Sequence, residues 1–171
     1  MAAKGADWFI ALARNSPNLQ FICPFPRARS IVDPPANLTF RLMTWEAGLR
    51  EAMAASRMVM VPSLWSAPIE GALIKSLITN DRVAILDNDS AFQSELPHEA
   101  VLRLSGDPKQ AARQLQVALD GDWAPDAVVH RDWLRDFRKF NERFFENISD
   151  VIFDDRSLAA QSFNGKEAVE A

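Results

Sequence analysis

Residues 58–77 read MVMVPSLWSAPIEGALIKSL, and this stretch decides the fold. A short apolar run ends at Val61, two prolines cross the following turn, and apolar residues at helical spacing begin at Ile69. A short, non-alternating apolar run is typical of a strand that is buried on both faces. The stretch therefore predicts a strand, a turn and a helix in succession, which is the unit from which parallel α/β sheets are built.

The same alternation of short apolar runs and helical patterns continues along most of the chain. The predicted strands are residues 19–25, 38–42, 58–61, 83–86 and 100–104, and the predicted helices are residues 5–14, 45–55, 69–78, 108–119 and 126–149. This order predicts an α/β fold: a doubly wound, Rossmann-like parallel sheet of about five strands with flanking helices and a long C-terminal helix. We expect one domain over residues 1–153 and a polar C-terminal tail over residues 154–171.

Composition excludes several classes of function. The 171 residues carry a net charge of −4, which gives no electrostatic reason to expect nucleic acid as a partner. The single cysteine, Cys23, has no partner for a disulfide, and the two histidines are far apart in sequence, so we expect neither a metal nor a cofactor. No run of apolar residues is long enough to predict a transmembrane segment, and we expect a cytoplasmic protein.

The turn over residues 61–71 is the place where the sequence predicts a binding site. Ligands of open parallel sheets bind beyond the carboxyl ends of the strands, and the start of a helix offers free amide donors that suit a diphosphate. The alternative is a purely structural turn in which Trp65 fills a hydrophobic space.

A family resemblance covers residues 4–119. Residues 60–77 resemble the signature PSLWSEPFGLVLIEAL of the C-terminal, nucleotide-sugar-binding domain of retaining GT-B glycosyltransferases of group 1. Lys4 and Gly5 resemble the K-G segment of that family, residues 37–40 resemble its N-V-x-F strand, and residues 46–56 resemble its next helix. The resemblance implies that a nucleotide-sugar donor is the ligand.

The resemblance also implies which residues contact the donor, although it assigns no catalytic residue. The implied substrate-binding residues are Lys4, Ser66, Ile69, Glu70, Gly71 and Lys75, with Lys4 neutralising the diphosphate. The family holds its donor with two glutamates eight positions apart, and here these positions are Ala67 and Lys75. Three explanations stay open: Glu70 and Lys75 take over donor contacts, the pocket is degenerate, or the chain accepts an unusual nucleotide sugar.

The resemblance further implies that the chain is part of a larger assembly. Family members begin this domain with a central strand and carry an N-terminal half that binds the acceptor. We therefore expect a gap between the strands at residues 19 and 58, a partner in the form of a missing N-terminal half, and weak or no transferase activity from the isolated chain. Peripheral attachment at the inner membrane is an alternative location. The second candidate function is a degenerate, non-catalytic Rossmann-like interaction domain.

Overall fold

The computed structural model describes residues 5–64, 71–88 and 96–153, with side chains as far as residue 143. Within these ranges the chain forms five strands and five α-helices. In chain order they are α1 (Ala6–Arg14), β1 (Phe21–Cys23), β2 (Leu38–Phe40), α2 (Leu49–Ala55), β3 (Val59–Val61), α3 (Gly71–Thr79), β4 (Val83–Leu86), β5 (Leu102–Leu104), α4 (Pro108–Asp120) and α5 (Ala127–Phe153). The predicted alternation of strands and helices is confirmed.

Local signals in the sequence account for most of these boundaries. The Asp107 carboxylate accepts a hydrogen bond from the Lys109 amide at 2.8 Å, and Pro108 occupies the first helical position of α4. Asp126 caps α5 in the same way, accepting from the amide of Val128 at 2.8 Å. The predicted helix over residues 45–55 begins later, at Leu49, because residues 44–48 form a tight turn in which Gly48 has a φ of 89°.

Every strand pairs in parallel, as the buried apolar runs predict. Strands β1 and β2 form one sheet, in which Phe21 lies opposite Leu38. Strands β3, β4 and β5 form a second sheet in that order, with Val59 opposite Val83 and Ala84 opposite Leu102. The sheet therefore has two parts of two and three strands rather than one continuous layer of five.

Two layers of helices cover the strands. Helices α1 and α4 contact each other, and α2 contacts α3. Successive side chains of a strand point to opposite faces, and β4 shows the consequence. Ala84 packs into the same core cluster as α1 and α4, all four β4 residues are buried, and α3 packs against the neighbouring strand β3. The doubly wound, three-layer α/β arrangement is thus the observed fold class.

Helix α1 links the two sheets. The ring of Phe9 on α1 meets the ring of Phe21 on β1 edge to face, with 5.6 Å between centroids. At the start of the same helix, Gly5 packs against the backbone of Pro62, directly after β3. One core cluster contains residues of α1, β1, β2, β4, β5 and α4, so the two sheets belong to one hydrophobic core. Within the described residues, no strand pairing joins β1 and β2 to β3, β4 and β5.

The chain divides into two compact units, Met1–Trp133 and Leu134–Ala171. Both sheets and the core cluster lie in the first unit, and the described part of the second unit is the remainder of α5. Among residues 5–64, 71–88 and 96–153, no helix combines the length and the apolar composition needed to cross a membrane.

Candidate functional site

A hydrogen bond joins residues that lie just beyond the carboxyl ends of β3 and β4. Ligands of parallel sheets bind at this edge. Ser63, two residues beyond β3, is buried, and its carbonyl accepts a hydrogen bond of 2.9 Å from the side-chain amide of Asn88, which follows β4. Asn88 thus joins the turn after β4 to the turn after β3. The same hydrogen bond places polar groups of Ser63 and Asn88 side by side beyond the two strands.

The start of α1 contacts the chain just beyond β3, at the same edge of the sheet. Gly5 adopts a left-handed conformation with a φ of 70°, and a Cβ atom on it would lie 1.8 Å from the carbonyl oxygen of Pro62. Glycine is required there because no side chain fits and because this φ disfavours other residues. The first amides of α1 have no acceptor within the helix, so they are potential donors to an anion.

Two of the predicted donor-binding residues lie in the described part of the chain. Gly71 is the first residue of α3 in that part, is exposed, and has open space around the position of a Cβ atom. Lys75 lies one turn further along α3, and its ammonium nitrogen is 4.9 Å from the centroid of the Trp45 ring. Lys4, Ser66, Ile69 and Glu70 lie outside the described residues, as do Trp65 and Ala67.

The contact between Lys75 and Trp45 links α3 to the turn that precedes α2. A lysine over a tryptophan face is attracted by the negative face of the ring, by roughly 0.5–1 kcal/mol at an exposed site. Lys75 is exposed, so its charge remains accessible while its position is biased toward Trp45. Trp45 was predicted only as part of a helix. No spacing in the sequence relates the two residues, because they belong to different elements and are 30 positions apart.

A charged pair joins β5 to the residue that follows β4. Arg103 on β5 approaches the carboxylate of Asp87 at 3.4 Å and also donates to the carbonyl of Leu96 at 3.3 Å. Sequence reasoning missed Arg103, since a single charged residue in a short apolar strand gives no indication of its partner. The pair fixes the direction of the Asp87 side chain at the carboxyl edge.

The histidines do not form a site. His130 is buried, and its Nε2 lies 3.0 Å from the carbonyl oxygen of Leu77, near the end of α3. This contact satisfies a carbonyl that the helix leaves without a partner. Within the three described ranges, no group of three histidine, cysteine, aspartate or glutamate side chains is arranged to hold a metal ion.

A shallow cavity of about 510 Å³ lies elsewhere, between β5, α4 and Trp123. Its lining includes Arg103, Arg113 and Gln114 and contains none of the residues that the sequence predicts to bind a donor. The residues beyond the strand ends, Ser63 and Asn88, are the better candidate, because they lie at the carboxyl edge of a parallel sheet and next to Pro62, which the start of α1 contacts.

Comparison with known proteins gives little further information. No protein-family model matches the chain, and no solved structure matches it. The chain is similar to integrin alpha-2 of Mus musculus, with 31% identity over 86 residues. Those residues are 50% of this chain and 7% of the integrin, so the chain spans a small fraction of the length of the curated relative that it matches. A similarity of this extent does not show membership of a family.

Proposed function

We propose that the chain is the donor-binding half of a cytoplasmic glycosyltransferase that uses a nucleotide sugar to build a polysaccharide or glycoconjugate. The proposal combines the resemblance of residues 60–77 to the GT-B signature with the parallel α/β fold. The observation that carries it is the contact of Gly5, at the start of α1, with the Pro62 backbone just beyond β3, because it brings a helix start to the carboxyl end of a parallel strand.

Doubly wound folds bind nucleotides in a crevice outside the carboxyl ends of their strands. In this chain the contact of Gly5 with Pro62 brings the start of α1 to the carboxyl end of β3. Just beyond β3 and β4, Ser63 and Asn88 are joined by a hydrogen bond. The free amides of a helix start are suited to a diphosphate. Polar groups such as those of Ser63 and Asn88 are suited to the hydroxyls of a ribose.

Calorimetric titration with UDP-, GDP- and ADP-sugars tests the proposal. We expect one nucleotide class to bind, and we expect Lys75→Ala to weaken that binding because the resemblance implies that Lys75 is one of the donor contacts. Lys139→Ala is the matched control, since Lys139 is an exposed lysine of α5 in the unit that contains neither sheet. Absence of binding to all three classes at millimolar concentration contradicts the proposal.

An interaction domain without catalytic activity is the second candidate, and the Lys75–Trp45 contact favours it. Lys75 stands where the resembling family has a glutamate, and its ammonium group is directed to an aromatic ring rather than offering an acceptor to a sugar hydroxyl. The double substitution Ala67→Glu with Lys75→Glu distinguishes the two functions. A crevice that still admits a nucleotide sugar gains affinity from the restored acceptors, whereas an interaction domain shows no binding before or after the change.

A further inference from the structure

Two large apolar side chains are exposed where the chain leaves the sheet of β1 and β2. Phe25, two residues beyond β1, is 56% exposed, and Leu42, two residues beyond β2, is 69% exposed. The two strands are parallel neighbours, and just beyond them the Met43 amide donates a hydrogen bond of 3.2 Å to the Pro24 carbonyl. Each exposed residue is adjacent in sequence to one member of this bonded pair. Phe25 and Leu42 therefore belong to one surface.

Three arginines accompany these apolar side chains, and no acidic residue does. All three are exposed: Arg27, Arg29 and Arg41. Residues 22–32 and 41–45 contain no aspartate or glutamate. The Arg27 guanidinium donates to the Ile31 carbonyl, which is a neutral partner, at 2.8 Å. Among the described residues, none of the three arginines pairs with a carboxylate. This surface is therefore locally positive in a chain whose net charge is −4.

The backbone around Phe25 offers few polar groups that need water. Pro24 and Pro26 flank this residue, and a proline has no amide donor. The Pro24 carbonyl is already bonded to the Met43 amide. Backbone groups without hydrogen-bond partners are costly in an apolar medium. Phe25 can therefore enter such a medium at a lower cost than a residue of an ordinary loop.

The extent of the apolar surface favours a lipid membrane over a protein partner. A specific protein interface buries about 800 Å² on each partner and needs a complementary shape. A whole aromatic side chain buries about 150–250 Å², so Phe25 and Leu42, which are already partly covered, provide well under half of that area. A membrane requires no matching shape. Apolar side chains enter between the headgroups, while arginines keep their charged ends at the lipid phosphates.

We propose that the surface formed by Phe25, Arg27, Arg29, Arg41 and Leu42 binds the chain peripherally to membranes that contain anionic phospholipids. Attraction between the arginines and the headgroups acts within a Debye length, about 10 Å at 0.1 M salt, so it requires this surface to face the bilayer. The resemblance gave peripheral attachment only as an alternative location and assigned it to no residue. None of these five residues lies in residues 60–77, so membrane binding here is independent of the proposed nucleotide site.

Cosedimentation of the full chain with vesicles tests this binding. One set of vesicles is pure phosphatidylcholine, and the other also contains phosphatidylglycerol, which is anionic. We expect the chain to sediment with the anionic vesicles and not with the neutral ones. We also expect about 1 M salt, at which the Debye length is about 3 Å, to release most of the bound chain.

Two double variants separate the apolar and the charged contributions. Phe25→Ser with Leu42→Ser is expected to weaken binding to anionic vesicles by about ten-fold or more, because it removes the inserted side chains. Arg29→Gln with Arg41→Gln is expected to weaken it by about five-fold for each arginine. All four side chains are exposed, so both variants are expected to fold like the unchanged chain, and urea unfolding checks this.

Helix α4 supplies the matched controls. Val117 is 72% exposed and Arg113 is exposed, and neither belongs to the proposed surface. Val117→Ser and Arg113→Gln are therefore expected to bind anionic vesicles like the unchanged chain.

Four outcomes would overturn the assignment of this surface to a membrane. They are equal binding to neutral and anionic vesicles, no binding to either, binding that both double variants retain, and binding that the two α4 controls lose to the same extent. If vesicles do not bind, two further measurements identify the occupant. Calorimetric binding of a polyglutamate peptide that Arg29→Gln with Arg41→Gln abolishes would indicate an acidic protein. Self-association that Phe25→Ser with Leu42→Ser abolishes would indicate a second copy of this chain.

Discussion

Replacement of Gly5 by alanine is the substitution whose cost the structure defines most closely. A left-handed conformation costs a residue with a Cβ atom about 1–2 kcal/mol. The added Cβ would also lie 1.8 Å from the Pro62 carbonyl oxygen, a backbone atom that cannot rotate away, so α1 and the end of β3 must separate. Overpacking of this kind costs about 1–3 kcal/mol, and we expect Gly5→Ala to reduce the free energy of unfolding by about 2–5 kcal/mol in total.

Two other glycines separate these contributions in urea denaturation. Gly48 has a similar φ of 89° but open space around it, so Gly48→Ala is expected to lose only the conformational part, about 1–2 kcal/mol. Gly106 has neither a positive φ nor a close neighbour, and Gly106→Ala is expected to leave stability unchanged or slightly raised. If Gly5→Ala proves no more destabilising than Gly48→Ala, then α1 does not pack against the end of β3 as described.

Three further substitutions test other contacts. Asn37 is buried, and its side-chain amide donates to the carbonyls of three residues that end α1 and lead to β1. Asn37→Ala is therefore expected to lower the free energy of unfolding, measured in urea, by about 3 kcal/mol. Asn15→Ala removes an exposed hydrogen bond and should cost well under 1 kcal/mol. Equal effects of the two changes would contradict this assignment. A double-mutant cycle with Lys75→Met and Trp45→Leu should give a coupling energy of about 0.5–1 kcal/mol, and a value near zero would show that the cation and the ring do not interact. His130→Ala leaves the Leu77 carbonyl without its partner and should lower the free energy of unfolding by about 1–3 kcal/mol. Thermal unfolding would detect this as a lower midpoint temperature. An unchanged midpoint would count against the contact.

The fold class could be predicted from the sequence because its signals are local. Five short apolar runs separated by helical patterns leave little choice but a parallel α/β layer, and helix starts such as Asp107 followed by Pro108 are marked by capping chemistry. The start of α2 was predicted four residues too early. Residues 45–48 have side chains compatible with a helix, but the backbone at Gly48 has a φ of 89°, and the sequence does not reveal that conformation.

The arrangement of strands was less accessible. Composition and periodicity indicate strands but not their neighbours, and a parallel sheet of about five strands was the expectation from alternation. Only the family resemblance led us to expect a gap, at an absent central strand, and that explanation of the division stays a prediction. Physically, the division is stable because α1 and α4 pack across both sheets and bury one core.

The contacts of the candidate site could be predicted from the sequence even less well than the arrangement of strands. Gly71 and Lys75 could be named from the signature, because their positions follow from a pattern along the chain. The bond between Asn88 and Ser63 and the approach of Arg103 to Asp87 join residues 25 and 16 positions apart through tertiary packing. No periodicity encodes such contacts, so these polar contacts beyond the strand ends became visible only in three dimensions.

Nucleotide binding at the carboxyl edge of the strands is the claim on which the proposed function depends, and NMR titration tests it most directly. Amide signals of the ¹⁵N-labelled chain would be followed while UDP, GDP and ADP are added separately. We predict that one of them shifts the signals of Gly5, Ser63, Gly71 and Asn88 together. No shift with any of the three, or shifts confined to the cavity beside α4 and β5, would contradict the account.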